Sequence, residues 1–410
     1  MPNNINNVKA AGTIISKMAA KMLADNMQFI KSIDKEPEES FGQTNGYNTG
    51  DTINISKPAR FKMNSGADIT AQIQDVVEEK VPLVLNRQRN VAVNLTSAEI
   101  ATDLGLKSWA KRILEPAMSG LAQGIEAEVL VDVKNSVFNT TGTPGSTLYD
   151  TDLMLSNREK LMKNLVPSDN ELKALLESSA MRSAVNARKG LFQSSEEISK
   201  QYKRGYMGES DGYTFLENNL LPVHTRGTAT GAITVTAQPA EGASTINLTG
   251  TGTQTLVVGD VFTIAGVFQV HPITKVVTNQ LQQFVVRANN TAAAGAYTAV
   301  QVSPAFYSAA SLSLQNINAL PAATAAVTLV GAASTGYTNN VTFHKSAFRF
   351  ASVPLVKPDG LDMIAQETVD GITVRVIRDY LPLTDKMVMR LDVLYGFTAV
   401  RPEWATRIFS

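Results

Sequence analysis

Cysteine is absent from all 410 residues, which removes disulfide staples, thiolate metal sites and cysteine nucleophiles together. Stability has to come from burial and association. Histidine is almost as scarce: His224, His271 and His344 stand far apart, with no spacing that puts two imidazoles on one helical face. A metal site built on them is not expected. Neither sign of charge is in excess, since Lys plus Arg and Asp plus Glu each total 37. No net charge draws the chain along a nucleic-acid backbone, so any contact with DNA is local and weak. No run nears the roughly 18 apolar residues of a membrane span. The first fifteen residues lack a charged segment leading into an unbroken apolar core, and Lys17 and Lys21 interrupt the apolar residues beyond, which argues against a secretory signal. The expectation is a soluble protein that stays in the cytoplasm where it is made.

Catalytic signatures are missing as well. The chain has no Gly-x-x-x-x-Gly-Lys-Ser/Thr, no Gly-x-Gly-x-x-Gly after a strand, no His-Glu-x-x-His and no Gly-x-Ser-x-Gly. Thr251-Gly-Thr253 sits between β runs with no strand-to-helix transition after it, so it reads as a turn and not as a phosphate cradle. Glu78-Glu79 and Glu196-Glu197 are adjacent carboxylates, but neighbours point to different faces, and a solvated surface explains them. No enzyme activity and no cofactor are expected.

What is present divides by composition. A single core stops growing at roughly 250 to 300 residues, so a chain this long holds two or three. Residues 227–340 contain only four charged side chains, Glu241, Asp260, Lys275 and Arg287, and none of the 13 methionines. Short alternating runs recur there, at Ala232–Thr236, Val261–Ile264, Phe284–Arg287 and Ala326–Val330, between Gly and Asn turn signals. The region reads as a small all-β barrel or sandwich inserted into a host domain that resumes near Val341; the alternative is a peripheral strand-rich part of one continuous fold.

The host portion mixes helix and strand. Val8, Ala11, Ile15, Met18, Met22 and Ile30 recur at helical spacing, with Lys17, Lys21 and Asp25 four apart on another face. The resulting amphipathic helix over 8–33 serves either surface packing or a partner. Gly50–Ile55, Pro58–Phe61, Ile69–Asp75 and Asn90–Leu95 suggest a long β-hairpin or extended loop. Thr96-Ser-Ala-Glu99 has capping-box spacing. Ala117, Leu121, Ile125, Val129, Val133 and Val137 then follow Ile113 at every fourth residue. They predict a helix of some 25 to 30 residues, roughly 40 Å at 1.5 Å per residue. Two more helical patterns cover about Asp150–Leu165 and Asp169–Lys189. Arg87 and Arg89, two residues apart on one strand, either meet a neighbouring subunit's carboxylates or form a solvated face.

This order of elements resembles the Hong Kong 97 fold of tailed-phage capsid proteins. Arg204-Gly-Tyr-Met-Gly208, Asp211-Gly-Tyr-Thr-Phe215 and Asn218-Asn-Leu-Leu-Pro222 look like the Gly turn, strand and Asn-Leu-Pro exit of the capsid axial domain. A closer resemblance is to the coat proteins of phage P twenty-two and its relatives, which carry an inserted β domain at this point. Pro222–Val235 resembles the start of their insertion and Gly259–Val267 a strand-turn inside it. Phe343–Phe350 and Val393–Glu403 look like the return strand and the carboxy-terminal end.

The resemblance implies an α+β Hong Kong 97-type capsid fold with a long spine helix, an extended β-hairpin loop and an inserted all-β barrel. It divides the chain into an amino-terminal arm (1–36), extended loop and peripheral-domain strands (37–95), and peripheral domain with spine helix (96–140). The first part of the axial domain (141–224), the inserted domain (225–342), an axial return (343–378) and a carboxy-terminal peripheral segment (379–410) follow. It implies a major capsid protein of a virion, self-assembling in the host cytoplasm as pentamers and hexamers. Scaffolding protein, portal protein and weakly held packaged DNA are the implied partners, with no membrane. The hairpin would reach across a neighbour and the spine helix would bend during expansion. Lys17, Lys21, Arg60, Lys62, Arg87 and Arg89 are the candidate inter-subunit ion-pair donors. A tail or baseplate protein with a β-rich attachment domain is the rival class.

Overall fold

The computed structural model describes residues 4–36, 50–59, 61, 70, 73, 76, 78–96, 110–146, 149–188, 208–309, 314–358, 360–361, 363–381 and 386–409. Two compact units share the chain: one of residues 1–55, 81–129 and 348–400, the other of 56–80, 130–347 and 401–410.

The first unit is built on a six-stranded sheet centred on Lys386–Ala399. That strand pairs antiparallel with Arg87–Thr96, with Ile372–Leu381 along its first half and with Phe348–Val353 along its second. Met363–Val369 extends the sheet beyond Ile372–Leu381. Its β-branched and aromatic residues suit a pleated, half-buried surface. Asp370 and Gly371, both at positive φ, close the hairpin between Val369 and Ile372 as a two-residue turn, which matches the twist of the flanking strands.

The amino-terminal helix, Asn4–Asn26, packs on this sheet. Ile15, Ala19 and Leu23 form its covered stripe, continued by Met27 just past its end, while Met18 and Met22 are only half-buried. Ile15 and Ile30 of the expected row are buried, while Ala19, Ala20, Leu23 and Ala24 take the covered places expected of Met18 and Met22. Aromatic pairs finish the core: Phe29 with Phe348 at 5.8 Å, Phe348 with Phe397 at 5.8 Å, and Phe350 with Tyr395 at 5.5 Å.

Thr52–Ser56 pairs with Lys80–Val84 as a two-stranded sheet, and the greater part of the expected hairpin between them lies outside the described residues. Leu83 and Leu85 pack on Ala351, Val353 and Leu394. Gly396 permits this approach, since a Cβ there would lie 2.4 Å from the Val84 carbonyl oxygen. Asn90–Leu95, expected in the same hairpin, belongs instead to the six-stranded sheet. Its alternation suits either pairing, and only the partner strand decides. Thr96 is the last strand residue, and the rest of its capping-box motif lies outside the described residues.

The long helix runs Glu115–Ser136, 22 residues, after a π-turn at Ala110–Leu114. At 1.5 Å per residue it is about 33 Å long, shorter than expected. Leu121, Ile125, Val129, Val133 and Val137 are all buried, as their spacing requires. Pro116 follows just after the π-turn, and its missing N–H leaves a gap in the hydrogen-bond ladder where the wider turn passes into the α-helix.

The second unit contains a seven-stranded mixed sheet and a closed barrel. In the sheet, Gly336–His344 lies antiparallel between Ala405–Phe409 and Leu172–Leu176, and Tyr213–Glu217 runs parallel to Leu172–Leu176. Thr151–Lys163 is the helix expected near 150, capped by Asp150, whose carboxylate accepts from Leu153 N at 2.8 Å. The pattern over 169–189 is corrected: Leu172–Leu176 is a strand, and only Ser178–Arg188 is helical. A short apolar run buried on both faces cannot be told from a helix turn by periodicity.

Six strands close the barrel, in the order Ile233–Val235, Thr245–Thr249, Ala296–Ser303, Val277–Val286, Val261–Val270 and Ala326–Leu329. Phe262 stacks on Phe284 at 5.8 Å and Phe284 meets Phe306 at 4.8 Å inside it. The expected division at 378/379 falls inside Ile372–Leu381, and 348–400 stays whole in the first unit while 401–410 belongs to the second. The strand Lys386–Ala399 pairs with pieces on both sides of that division and cannot be parted from either.

Candidate assembly surfaces and the barrel junction

The basic candidates fall into three groups. Lys17 and Lys21 are exposed, one turn apart on the amino-terminal helix, and Asp25 on the same face pairs with Lys31 at 3.4 Å. Arg60 and Lys62 lie outside the described residues. Arg87 and Arg89 stand opposite Tyr395 and Val393 on one face of the sheet.

Arg89 has a partner within its own chain. Its Nε donates to Glu128 Oε1 of the long helix at 2.7 Å, and the Tyr395 hydroxyl donates to Glu128 Oε2 at 2.6 Å. Burial raises the Glu128 carboxyl, but these two hydrogen bonds outweigh it and hold the group below its usual range. The Arg89 guanidinium is therefore turned to a helix of the same fold.

Each of the four charged residues of 227–340 also has an internal task. Glu241 Oε1 accepts from Ser308 N at 2.6 Å and Ala309 N at 3.0 Å, while Oε2 accepts from Ser308 Oγ at 2.8 Å. This carboxylate ties down the loop that inserts Phe306 into the barrel. Lys275 Nζ donates to Gln315 O at 3.2 Å. The exposed guanidinium of Arg287 donates to Asn135 O at 2.6 Å and Ser136 Oγ at 3.0 Å, at the end of the long helix where unpaired carbonyls attract a cation. Asp260 is the fourth.

The Asp260 carboxylate is fully buried and collects three donors from two segments. It accepts from Val257 N at 2.8 Å and Gly227 N at 3.2 Å, and its Oδ1 lies 2.8 Å from His224 Nε2. Gly227 has no room for a side chain, because a Cβ would lie 2.2 Å from the Thr255 carbonyl oxygen. Arg407, wholly buried in Ala405–Phe409, donates from Nη2 to Gly259 O at 2.9 Å, and Lys134 comes from the last turn of the long helix. Burial lowers Arg407 to about 9 against the pull of Asp260, which leaves it charged at neutral pH. Burial also lowers Lys134, with Arg407 adding to the effect. Burial lowers His224 too, outweighing its hydrogen bond to Asp260.

A second fastening is made by amides. Gln283 of the barrel accepts at Oε1 from Thr140 N at 2.8 Å and Lys160 Nζ at 3.1 Å, and donates to Thr140 Oγ1 at 2.8 Å. Burial brings Lys160 down to about 8. Gln269 Nε2 donates to Asn164 Oδ1 at 2.6 Å. A polar cleft of about 260 Å³ beside these contacts is lined by Pro272, Pro304, Pro402, Gln282 and Gln315. Lys57 and Glu79, paired at 3.4 Å, also line it, and among the described residues no group of three His, Cys, Asp or Glu can hold a metal. No helix among the described residues is long and apolar enough to cross a membrane. What these arrangements do is hold segments together.

Sequence reasoning singled out Asp260 only as one of four charges in a β region. His224, Lys134 and Arg407 were missed as its company. A lone arginine inside the apolar strand Ala405-Thr-Arg-Ile-Phe409 was the available signal.

The family model described as P22 coat protein, gene protein 5, matches residues 12–409. The chain belongs to the P22 coat protein family. Membership agrees with the Hong Kong 97-type α+β fold expected from the sequence, and the closed barrel is the family's inserted β domain. A relative named major capsid protein, from Acyrthosiphon pisum secondary endosymbiont phage 1, is 22% identical over 431 residues covering 100% of both chains. The solved CUS-3 coat protein I-domain is 32% identical, covering 25% of this chain and 96% of its own, with a TM-score of 0.19. The Mycobacterium phage Che8 structure is 11% identical, covering 93% of this chain and 90% of that one, with a TM-score of 0.45.

Proposed function

We propose that this P22 coat protein family member is the major capsid protein of a tailed bacteriophage and that its copies build the icosahedral head shell. The observation that carries the reading is the family match along residues 12–409. Its work lies in surfaces and not in a pocket. A single contact worth about 4 kcal/mol holds only at millimolar concentration, but a subunit engaged through several such contacts is held far more tightly. Equal numbers of acidic and basic side chains let many copies pack without accumulated repulsion.

The finer reading follows the same physics. Pentamers and hexamers form in the host cytoplasm with scaffolding and portal proteins, and the finished virion shell encloses double-stranded DNA through weak, non-specific contact. Lys17 and Lys21 are exposed cations without a partner among the described residues, which supports a role toward a neighbour's carboxylates. Arg60 and Lys62 are proposed for the hairpin contact on sequence grounds. Arg87 stays a candidate, whereas Arg89 already holds Glu128. The purified protein, run on a sucrose gradient, should contain a fast-sedimenting particle of one size, and a protein that stays at subunit size under all assembly conditions would overturn the reading. Charge reversal at Lys17 with Lys21, or at Arg60 with Lys62, should lower particle yield; unchanged yield and stability would remove that pair from the interface.

A further inference from the structure

We propose that the Asp260 junction is an acid-sensitive clasp, which holds the barrel to the carboxy-terminal strand and the end of the long helix near neutral pH and loosens in mild acid. The geometry carries it. One buried carboxylate serves three donors from two segments: His224 and Gly227 N from the stretch that leads into the insertion, and Val257 N from the turn that carries Asp260 itself. The Gly259 carbonyl beside it accepts from Arg407 of the carboxy-terminal strand. His224 is 5% exposed. The charged groups facing it are Asp260, Arg407 and Lys134, so a single carboxylate stands against two cations before the imidazole takes any proton. Arg226, two residues along, turns its guanidinium to the Gly331 and Ala229 carbonyls.

Protonating His224 in place would bury a third positive charge there. Burial, followed by Arg407 and Lys134, holds the closed imidazole neutral against its hydrogen bond to Asp260. Once the clasp opens, the imidazole is hydrated and takes its proton at the ordinary value of 6.5. The open form therefore binds one more proton at pH below 6.5, down to the closed form's lower value. Stability of the closed form is complete above that window and falls as pH drops through it, by up to about tenfold in the opening equilibrium per pH unit. The barrel interior has no such group, since Phe262, Phe284 and Phe306 form its centre. Acid thus loosens the attachment before the barrel itself.

Hydrogen exchange of the full chain between pH 7.5 and 5.5 tests this, with rates corrected for intrinsic pH dependence. The Gly227 and Val257 amides, which donate to Asp260, should open several-fold to about tenfold more per unit below pH 6.5, while the Phe262 and Phe284 amides stay protected. His224→Gln keeps a donor for Asp260 without a titrating nitrogen and should flatten the response, whereas His271→Gln and His344→Gln should leave it intact. A pH-independent wild type, a His224→Gln response equal to wild type, or equal loosening of Phe262 and Phe284 would each overturn the clasp. Exchange of the His224 ring C–H in wild type gives its pKa without any substitution. A value below 6.5 supports the proposal, and one at or above it ends it.

Discussion

In the six-stranded sheet the buried Asp392 lies between two guanidiniums, Arg375 at 2.5 Å and Arg390 at 2.6 Å. In the barrel the buried Asp260 is held by two backbone N–H groups and a neutral histidine. The sheet region is rich in charge and satisfies its carboxylate with ion pairs. The barrel has four charged residues in 227–340 and hydrogen-bonds its carboxylate to backbone N–H groups and an imidazole, while the cations that face it, Arg407 and Lys134, come from outside that stretch. Both solutions avoid an unpaired buried charge, which would cost several kcal/mol. They differ in what disturbs them: removal of a partner in the sheet, a proton in the barrel.

The comparison breaks most sharply in the barrel core. Phe306→Ala removes a fully buried ring packed 4.8 Å from Phe284, and should cost roughly 3–5 kcal/mol, read as a lower urea midpoint of the excised segment 223–345. That segment should unfold cooperatively by itself; a gradual, non-cooperative transition would deny the barrel its independence. Asp392→Ala should cost about 3 kcal/mol, at the low end for breaking a buried pair, because Arg390 is 43% exposed and can rehydrate. Hydrogen exchange should locate this loss in the first unit and leave barrel amides unchanged.

A smaller effect sharpens the contrast at the junction. Arg287→Ala loses two exposed contacts to the end of the long helix and should cost about 1 kcal/mol in full-length unfolding, without shifting the midpoint of the excised barrel. The smallest change is set by pH. Hydrogen bonds from Ser308 and Ala309 outweigh burial and hold the Glu241 carboxyl below its ordinary 4.5. Its contribution is present above 4.5 and disappears as pH falls through the lower folded value. Exchange at the Ser308 and Ala309 amides should rise in that acid window in wild type, and Glu241→Gln should remove the pH dependence.

Local patterns were legible because they report local geometry. The row Leu121, Ile125, Val129, Val133, Val137 announced a buried helix, and the charge-poor run from 227 to 340 announced the barrel. Pairings between distant strands were not legible. Asn90–Leu95 alternates equally well for a hairpin or for the edge of Lys386–Ala399, and Leu172–Leu176 is too short to show a period. The junction is hidden for the same reason. Arg407 and Gly259 are 148 residues apart, and no spacing rule joins them. Arg89 illustrates the converse, since its spacing from Arg87 left open a neighbour's carboxylate or a solvated face, and its partner is Glu128, 39 residues along the same chain.

Electron microscopy of the purified chain is the deciding measurement. A capsid protein of this family should give closed, roughly spherical shells of uniform diameter with capsomers of five and six. Open tubes, or a protein that never leaves the subunit state, would contradict this reading.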